Sequence, residues 1–372
     1  MAGAWGSGTG GAVVSGAPTI AEALARGPNG FTGLRLGLAV AVVVSHAFSV
    51  ATGIAADEPL AKATGYTLGE HAVNGFFAVS GFLVTMSCDQ RGLRDYVVAR
   101  TLRILPGLVA ATLVVSLILG GAMTTLPLSD YWRDPGMWSF IRGTLTTFKS
   151  NAALPGVFEA NPYRSPLGTV WTLKYEVLCY CGVLAFALCG LLRRRWIAPS
   201  LCVGLAIALG IELAVQGDAL PKGVETALRL PMIFAAGASL YLWRDTLRIA
   251  TPAMICLSIA LFVLARTPAY PPLLFLGTAY AAVWLALGPL AAKPFDPSAD
   301  LSYGIYLYGW PVQQTLHALW PAPSGLALLA PALAVTLPVA ALSWYAVERP
   351  ALALKARTLG RRSLGTIEPA GP

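Results

Sequence analysis

The chain carries three histidines, His46, His71 and His317, and His46 stands alone in the apolar run VAVVVSHAFSV over 40–50. An ionisable side chain in hydrocarbon is costly, and such residues face a bundle interior or a water-filled cavity. A neutral imidazole there can take a proton from a hydroxyl and return it to a leaving group. Arg35 lies eleven residues earlier, about three turns and roughly 16 Å along the same helix face. A face that bears a guanidinium and an imidazole reads as a polar lining. The plainer alternative is a histidine satisfied by a neighbouring helix.

Other ionisable residues sit in similar places. In LGTVWTLKYEVLCYCG, Lys174 and Glu176 interrupt an apolar run. Glu176 is the deeper of the two, and a carboxylate can orient and charge-stabilise an imidazole; a structural ion pair is its alternative. Lys174 can snorkel outward. In VVARTLRILPGL, Arg100 and Arg103 share a face at i, i+3. Paired guanidinium forks suit phosphate oxygens, although a basic cluster at a membrane entry needs no such role. His71 and Asn74 share a face at a helix mouth, where polar groups of a ligand would dock, a solvated or capping histidine being the alternative, and Ser80 and Gly81 allow another backbone close approach. Tyr303, Tyr306 and Trp310 form a stripe that reads as core or interfacial belt. His317 reads as snorkelling at the outer interface.

These residues must be held by membrane helices. Of 372 residues, 56% are hydrophobic and 12% charged, about half the charge of a soluble protein. Apolar runs near 34–53, 71–88, 104–122, 167–191, 197–215, 227–243, 249–265, 271–291, 301–320 and 326–347 approach the roughly 20 residues a spanning helix needs. The expected fold is therefore all-α, a polytopic bundle of about ten spans. Arg91, Arg94, Arg193, Arg194, Arg195, Arg244, Arg248, Lys355 and Arg357 alternate with more acidic connections, which puts both termini in the cytoplasm. The net charge of +8 is explained by that topology, so nucleic acid is not an expected partner. Residues 1–30 read as a disordered cytoplasmic tail, 31–350 as the transmembrane domain and 351–372 as a basic cytoplasmic tail. The connection 123–166 holds Trp132, Trp138 and several prolines, and reads as ordered. The six cysteines lack metal-ligand spacing and read as buried apolar residues, so no metal is expected.

Taken in order, GLRLGLAVAVVVSHAF, VNGFFAVSGFLVT, RTLRILPG, VWTLKYEVLCY and LSYGIYLYGWPV resemble the acyltransferase-3 family of integral membrane acyltransferases, over about 34 to 348. The stretch LPGVFEANP is similar to members that decorate bacterial polysaccharides. The resemblance implies O-acylation, chiefly O-acetylation, of a sugar hydroxyl on a cell-surface polysaccharide or its lipid-linked precursor. It implies acetyl-CoA, or another acyl-CoA, as donor, and the bacterial cytoplasmic membrane as the location. Membrane lipids and polysaccharide assembly machinery are the partners it suggests. By position, His46 matches the family's first-helix histidine and Arg35 the arginine before it. Arg100 and Arg103 match its paired arginines, and Trp171 and Glu176 its Trp-x-Leu-x-x-Glu pattern. Where members often have a histidine after Tyr-Leu, this chain has Tyr308 and Gly309.

The site expected is thus His46, Glu176 and Arg35 for catalysis, Arg100 and Arg103 for the donor, and His71, Asn74, Trp171 and Lys174 for the acceptor. Direct attack with His46 as base and an acyl-histidine intermediate are both open. A proton-coupled transporter or flippase using His46 and Glu176 is the competing reading, and a non-catalytic partner of an assembly complex is a third.

Overall fold

The computed structural model of the protein describes residues 16–27, 29–288, 297, 299–320 and 323–358. It is an all-α bundle. The principal helices are α1 (Phe31–Thr52), α2 (Leu68–Gln90), α3 (Leu93–Met123), α4 (Trp171–Leu188), α5 (Ile197–Gln216), α6 (Lys222–Leu242), α7 (Thr251–Leu264), α8 (Tyr270–Leu287), α9 (Ser302–Leu319) and α10 (Gly325–Leu354). Each of the ten apolar runs of the sequence has become one of these helices. Seven of them, α1 to α5, α8 and α10, are long and apolar enough to cross a membrane. The other three depart for visible reasons: α7 has 14 residues, while α6 and α9 bury polar side chains such as Glu225, Arg229, Gln313 and Gln314.

Local chemistry sets the ends. Thr67 and Glu70 form a reciprocal capping box that starts α2. Gly53, in the left-handed region at φ 78°, closes α1 by donating its N–H to the Ser49 carbonyl. In α3, Pro106 lies inside the helix and residues Val114–Leu119 widen into a π segment. There the Ser116 carbonyl accepts from the Tyr131 hydroxyl at 2.5 Å, so the irregular turn anchors the connection that follows.

Two helix groups meet along α1 and α2. In one, α2 packs on α6, with α5 and α8 against α6; in the other, α1, α9 and α10 pack together. α3 and α4 lie over the seam between them. At the α2–α6 crossing a Cβ on Gly81 would stand 2.0 Å from the Phe234 carbonyl oxygen, and one on Gly237 would stand 2.1 Å from that of Ala78. The backbones therefore touch, as the small residues of α2 predict. The polar counterpart is buried at the same interface. Arg229 of α6 is 1% exposed, pairs with Glu225 at 2.7 Å and donates to the Asn74 Oδ1.

The connection 123–166 is ordered, as its composition suggests. Leu154, Val157 and Phe158 are core residues, and Asn161 donates to the Gln314 carbonyl at 2.9 Å and to its Oε1 at 2.7 Å. The N-terminal boundary differs from the expectation of a disordered 1–30. Ile20–Ala25 is helical with its own Thr19–Glu22 capping box, and Ile20 donates to the Leu247 carbonyl at 2.9 Å. Burial of Ile20 against the α6–α7 turn supplies what composition hid. Residues 1–15 of that expected tail and 359–372 of the C-terminal one lie outside the described residues. The first part of the latter, through Thr358, continues helically from α10.

Candidate active site

Arg91, Arg195 and Arg244 mark one end of the bundle, where Arg195 meets Asp245 and Arg244 approaches Asp89. From this basic end a cavity of about 390 Å³ runs inward between α1, α2, α3, α4 and α9. Arg91, Arg100 and Leu352 line it nearer the basic end of the helices; Val73, Phe76, Thr172 and Tyr306 line it further along them. Four of the residues expected to do chemistry, Arg35, Arg100, Arg103 and Glu176, come together in it.

The centre of the charged part is a residue that sequence reasoning missed. Asp300, just before α9, accepts from Arg35 at 2.7 Å and from Arg103 at 2.8 Å, both on the same carboxylate oxygen. Its other oxygen accepts from the Ser302 hydroxyl at 2.5 Å. Arg35 and Arg103 come from α1 and α3, so one carboxylate ties three helices together. The available signal was an acid at the start of an apolar run on the side where lysine and arginine are the rule. Glu348 of α10 stands 3.9 Å from Arg103. Arg100 has a different environment: its guanidinium lies over the Tyr180 ring at 5.6 Å, and its Nε is buried without a hydrogen-bond partner. Arg35, Arg100 and Arg103 thus outnumber Asp300 and Glu176 along the lining, and an anion is the ligand this imbalance favours.

Burial alone would push the Asp300 carboxyl up; Arg103, then Arg35, with the Ser302 hydrogen bonds, hold it down at about 2, below the ordinary 3.8. A carboxyl lowered in the folded state contributes stability that is complete above its ordinary value and is lost as pH falls through the folded one. Asp300→Asn is therefore expected to destabilise the protein at neutral pH and to flatten its loss of stability between about pH 4 and pH 2. Melting temperatures in detergent across that range check this; an unchanged acid profile would count against it.

Glu176 lies in the cavity, but its contact is not with an imidazole. It accepts from the Tyr180 hydroxyl one turn on, and Ser80 sits 3.3 Å from the same hydroxyl. The ring that meets His46 is Trp310, edge to face with centroids 5.0 Å apart. His46 is half-buried and stands beyond the cavity's far end, outside its lining. Trp310 is fixed there by donating to the Ser165 carbonyl at 2.7 Å and by packing against Tyr163 at 5.4 Å. Gln313 donates to the Val43 carbonyl at 2.7 Å, one turn before His46. So one member of the aromatic stripe read as belt or core, Trp310, packs against the histidine.

The other expected residues lie elsewhere. His71 sits 3.0 Å from the Thr64 hydroxyl through Nε2 and borders Tyr66. Asn74 is wholly buried and joined to Arg229, so its side chain ties α2 to α6 rather than facing an open mouth. Trp171 packs edge-on to Tyr175 at 6.1 Å. Lys174 is exposed, its ammonium 4.8 Å from the same ring. His317 is not simply solvated: its Nδ1 lies 3.4 Å from Asn161 Oδ1. Among the described residues no cluster of metal-ligating side chains occurs.

Comparison with known proteins adds a family. Residues 29–345 match the family described as an acyltransferase domain. The chain is 28% identical over 367 residues to nodulation protein 10 of Rhizobium leguminosarum bv. viciae, covering 90% of this chain and 96% of that protein. It is 25% identical over 336 residues to an O-acetyl transferase of Shigella phage Sf6, covering 86% of this chain and 95% of the relative. No solved structure matches it.

Proposed function

Since the chain belongs to this acyltransferase family and is a multi-pass membrane O-acyltransferase, we propose that it moves an acetyl group from acetyl-CoA to a sugar hydroxyl. The acceptor is a cell-surface polysaccharide or its lipid-linked precursor, and the enzyme sits in the bacterial cytoplasmic membrane with both termini inside. The basic end then faces the cytoplasm, where acyl-CoA is found, and the His46 end faces outward. The phage relative's name supports acetyl as the group transferred.

One observation carries the donor reading: the cavity reaches the basic end and is lined by four arginines, Arg35, Arg91, Arg100 and Arg103, of which Arg100 keeps a buried Nε without a partner. That orphan donor and the neighbouring guanidinium forks match the phosphates of coenzyme A. Arg35 and Arg103 each give one nitrogen to Asp300, and Arg103 also faces Glu348 at 3.9 Å, so both guanidinium groups are held at the cavity wall. The acyl arm runs from there towards Tyr306. His46 takes the proton of the attacking sugar hydroxyl; the new ester C–O bond forms as the C–S bond breaks, and the proton passes to the departing thiolate. Its ring edge against Trp310 holds the imidazole in line. Glu176 contributes a negative charge within the donor passage, held by Tyr180. His71 would meet the acceptor near the outer end, with Asn74 behind it, and Trp171 lies at the level of Tyr306; Lys174, exposed and two residues nearer the basic end than Thr172, takes no part in this arrangement.

Arg100→Ala is expected to weaken acetyl-CoA binding about tenfold or more, the worth of a hydrogen bond to a charged group. Isothermal titration of the purified protein reads this directly, and unchanged affinity would remove the donor role. In proteoliposomes, acetyl-CoA must be consumed one for one with acceptor esters formed, with free coenzyme A released. Movement of an intact solute without acetyl-CoA would instead establish the transporter reading.

A further inference from the structure

We infer that Tyr306 is a gate between the donor cavity and His46, and that it selects acyl groups by girth while keeping water from the thioester. This rests on the reading of the cavity as the acyl-donor site.

Tyr306, Phe76 and Thr172 line the cavity at the side away from Arg91, and neither His46 nor Trp310 is part of its lining. Position along two helices shows what lies behind. Val42 packs against Tyr306, and His46 is four residues further along α1. Trp310 is four residues beyond Tyr306 along α9, and its ring meets His46. Four residues are about one helical turn, roughly 6 Å. The phenol therefore stands one turn nearer the basic end than the imidazole–indole pair, directly on the way from the arginines to His46.

The ring is held closed. Its hydroxyl donates to the Thr169 carbonyl at 2.7 Å, so the 2.6 Å contact with Thr172 has the threonine hydroxyl donating to the phenol oxygen. Thr169 also donates to the Tyr306 carbonyl at 3.2 Å, and Phe76 packs on the ring at 6.2 Å between centroids. A side chain braced by Thr172 of α4, by Thr169 just before it and by Phe76 of α2 does not swing freely, yet the acyl carbon must pass it to reach His46. A methyl group needs a small displacement. A branched acyl group needs the phenol to break its bonds or the walls to part, and a wrong methyl-sized group against a fixed wall typically costs 10–200-fold in rate. The same closure keeps the outer water of the His46 end from the donor cavity. Loops and side chains that close active sites prevent hydrolysis in this way.

The test measures transfer from acetyl-CoA and isobutyryl-CoA, hydrolysis of acetyl-CoA without acceptor, and binding of both donors, for wild type, Tyr306→Ala, Tyr306→Phe and Thr172→Val. Tyr306→Ala is expected to raise the isobutyryl-to-acetyl rate ratio about tenfold or more and to raise acceptor-free hydrolysis severalfold. Tyr306→Phe and Thr172→Val, which keep a ring but loosen it, should move both in the same direction by less. Unchanged ratio and hydrolysis in variants that bind acetyl-CoA normally would overturn the gate. Absence of acyl-CoA binding by the wild type overturns it together with the donor reading, and binding tells the two failures apart. Should Tyr306→Ala fail to accumulate in the membrane, the two conservative variants decide, and no shift in either overturns the proposal.

Discussion

His46→Ala is expected to lower acyl transfer about 10²–10⁴-fold, the usual worth of a positioned general acid–base group, while the protein remains at normal abundance. The two halves of that expectation have separate grounds. The loss follows from the chemistry: a sugar hydroxyl is a poor nucleophile at neutral pH, and without a base nearby its proton has nowhere to go in the transition state. The intact fold follows from the environment. His46 is half-buried rather than enclosed, its ring meets Trp310 by an edge contact, and Trp310 has its own anchor at Ser165. Alanine is also the best helix former, so α1 continues undisturbed. Acetyl groups on the surface polysaccharide, measured by NMR in cells that carry only the variant and normalised to protein amount, read the result. Wild-type acetylation at normal abundance would end the catalytic assignment of His46, and would leave the non-catalytic reading of the protein standing.

Gly237→Val should have the largest effect on stability. The added Cβ would fall 2.1 Å from the Ala78 carbonyl oxygen and 3.1 Å from the Phe82 amide nitrogen. Both neighbours are main chain, which cannot rotate away as a side chain would. The helices α2 and α6 must separate, and that crossing underlies the polar network of Arg229, Glu225 and Asn74 as well as the α2 face of the cavity. We expect a loss of at least about 3 kcal/mol, at or beyond the upper end of ordinary overpacking. Thermal unfolding in detergent and the amount recovered from membranes would report it. Gly81→Val should behave alike, its Cβ meeting the Phe234 carbonyl oxygen at 2.0 Å. Gly182→Ala on α4 is the matched control, since nothing lies within 4 Å of its Cβ; a gain in helix propensity of about 1 kcal/mol is the ceiling there. A Gly237→Val protein that melts with the wild type would show that the crossing is not a backbone contact.

The donor cavity and the gate connect these results. In the proposed path, arginines at the basic end hold the donor by charge, Tyr306 controls what advances, and His46 works beyond it. Loss of Arg100 should appear as weaker binding, loss of the Tyr306 ring as altered donor choice, and loss of His46 as a slow chemical step with donor binding intact. Three different readouts therefore separate three roles along one path.

Much of this was present in residue order. The ten apolar runs became ten helices because a chain in hydrocarbon must satisfy its backbone within each segment. Arg35, Arg100, Arg103 and Glu176 stood out because each interrupts or borders an apolar run, and the same cost that made them conspicuous favours gathering them at one interior cavity. The ordered motifs indicated the family, which residues 29–345 match. What spacing along single helices could not supply was the pairing between helices. Asp300 belonged to no motif, and only the approach of α1 and α3 brings Arg35 and Arg103 to it. Glu176 looked like a partner for an imidazole but met Tyr180 one turn on in its own helix, a pairing that spacing permits, while Trp310 of another helix took the place beside His46. Tyr306 read as part of a belt until Thr169 and Thr172 of a distant connection and helix pinned it. Composition and periodicity act on neighbours in sequence, so they determine helices and which faces are polar. Which polar face meets which is decided by side-chain packing and hydrogen bonds between residues a hundred or more positions apart, and only the tertiary structure carries that information.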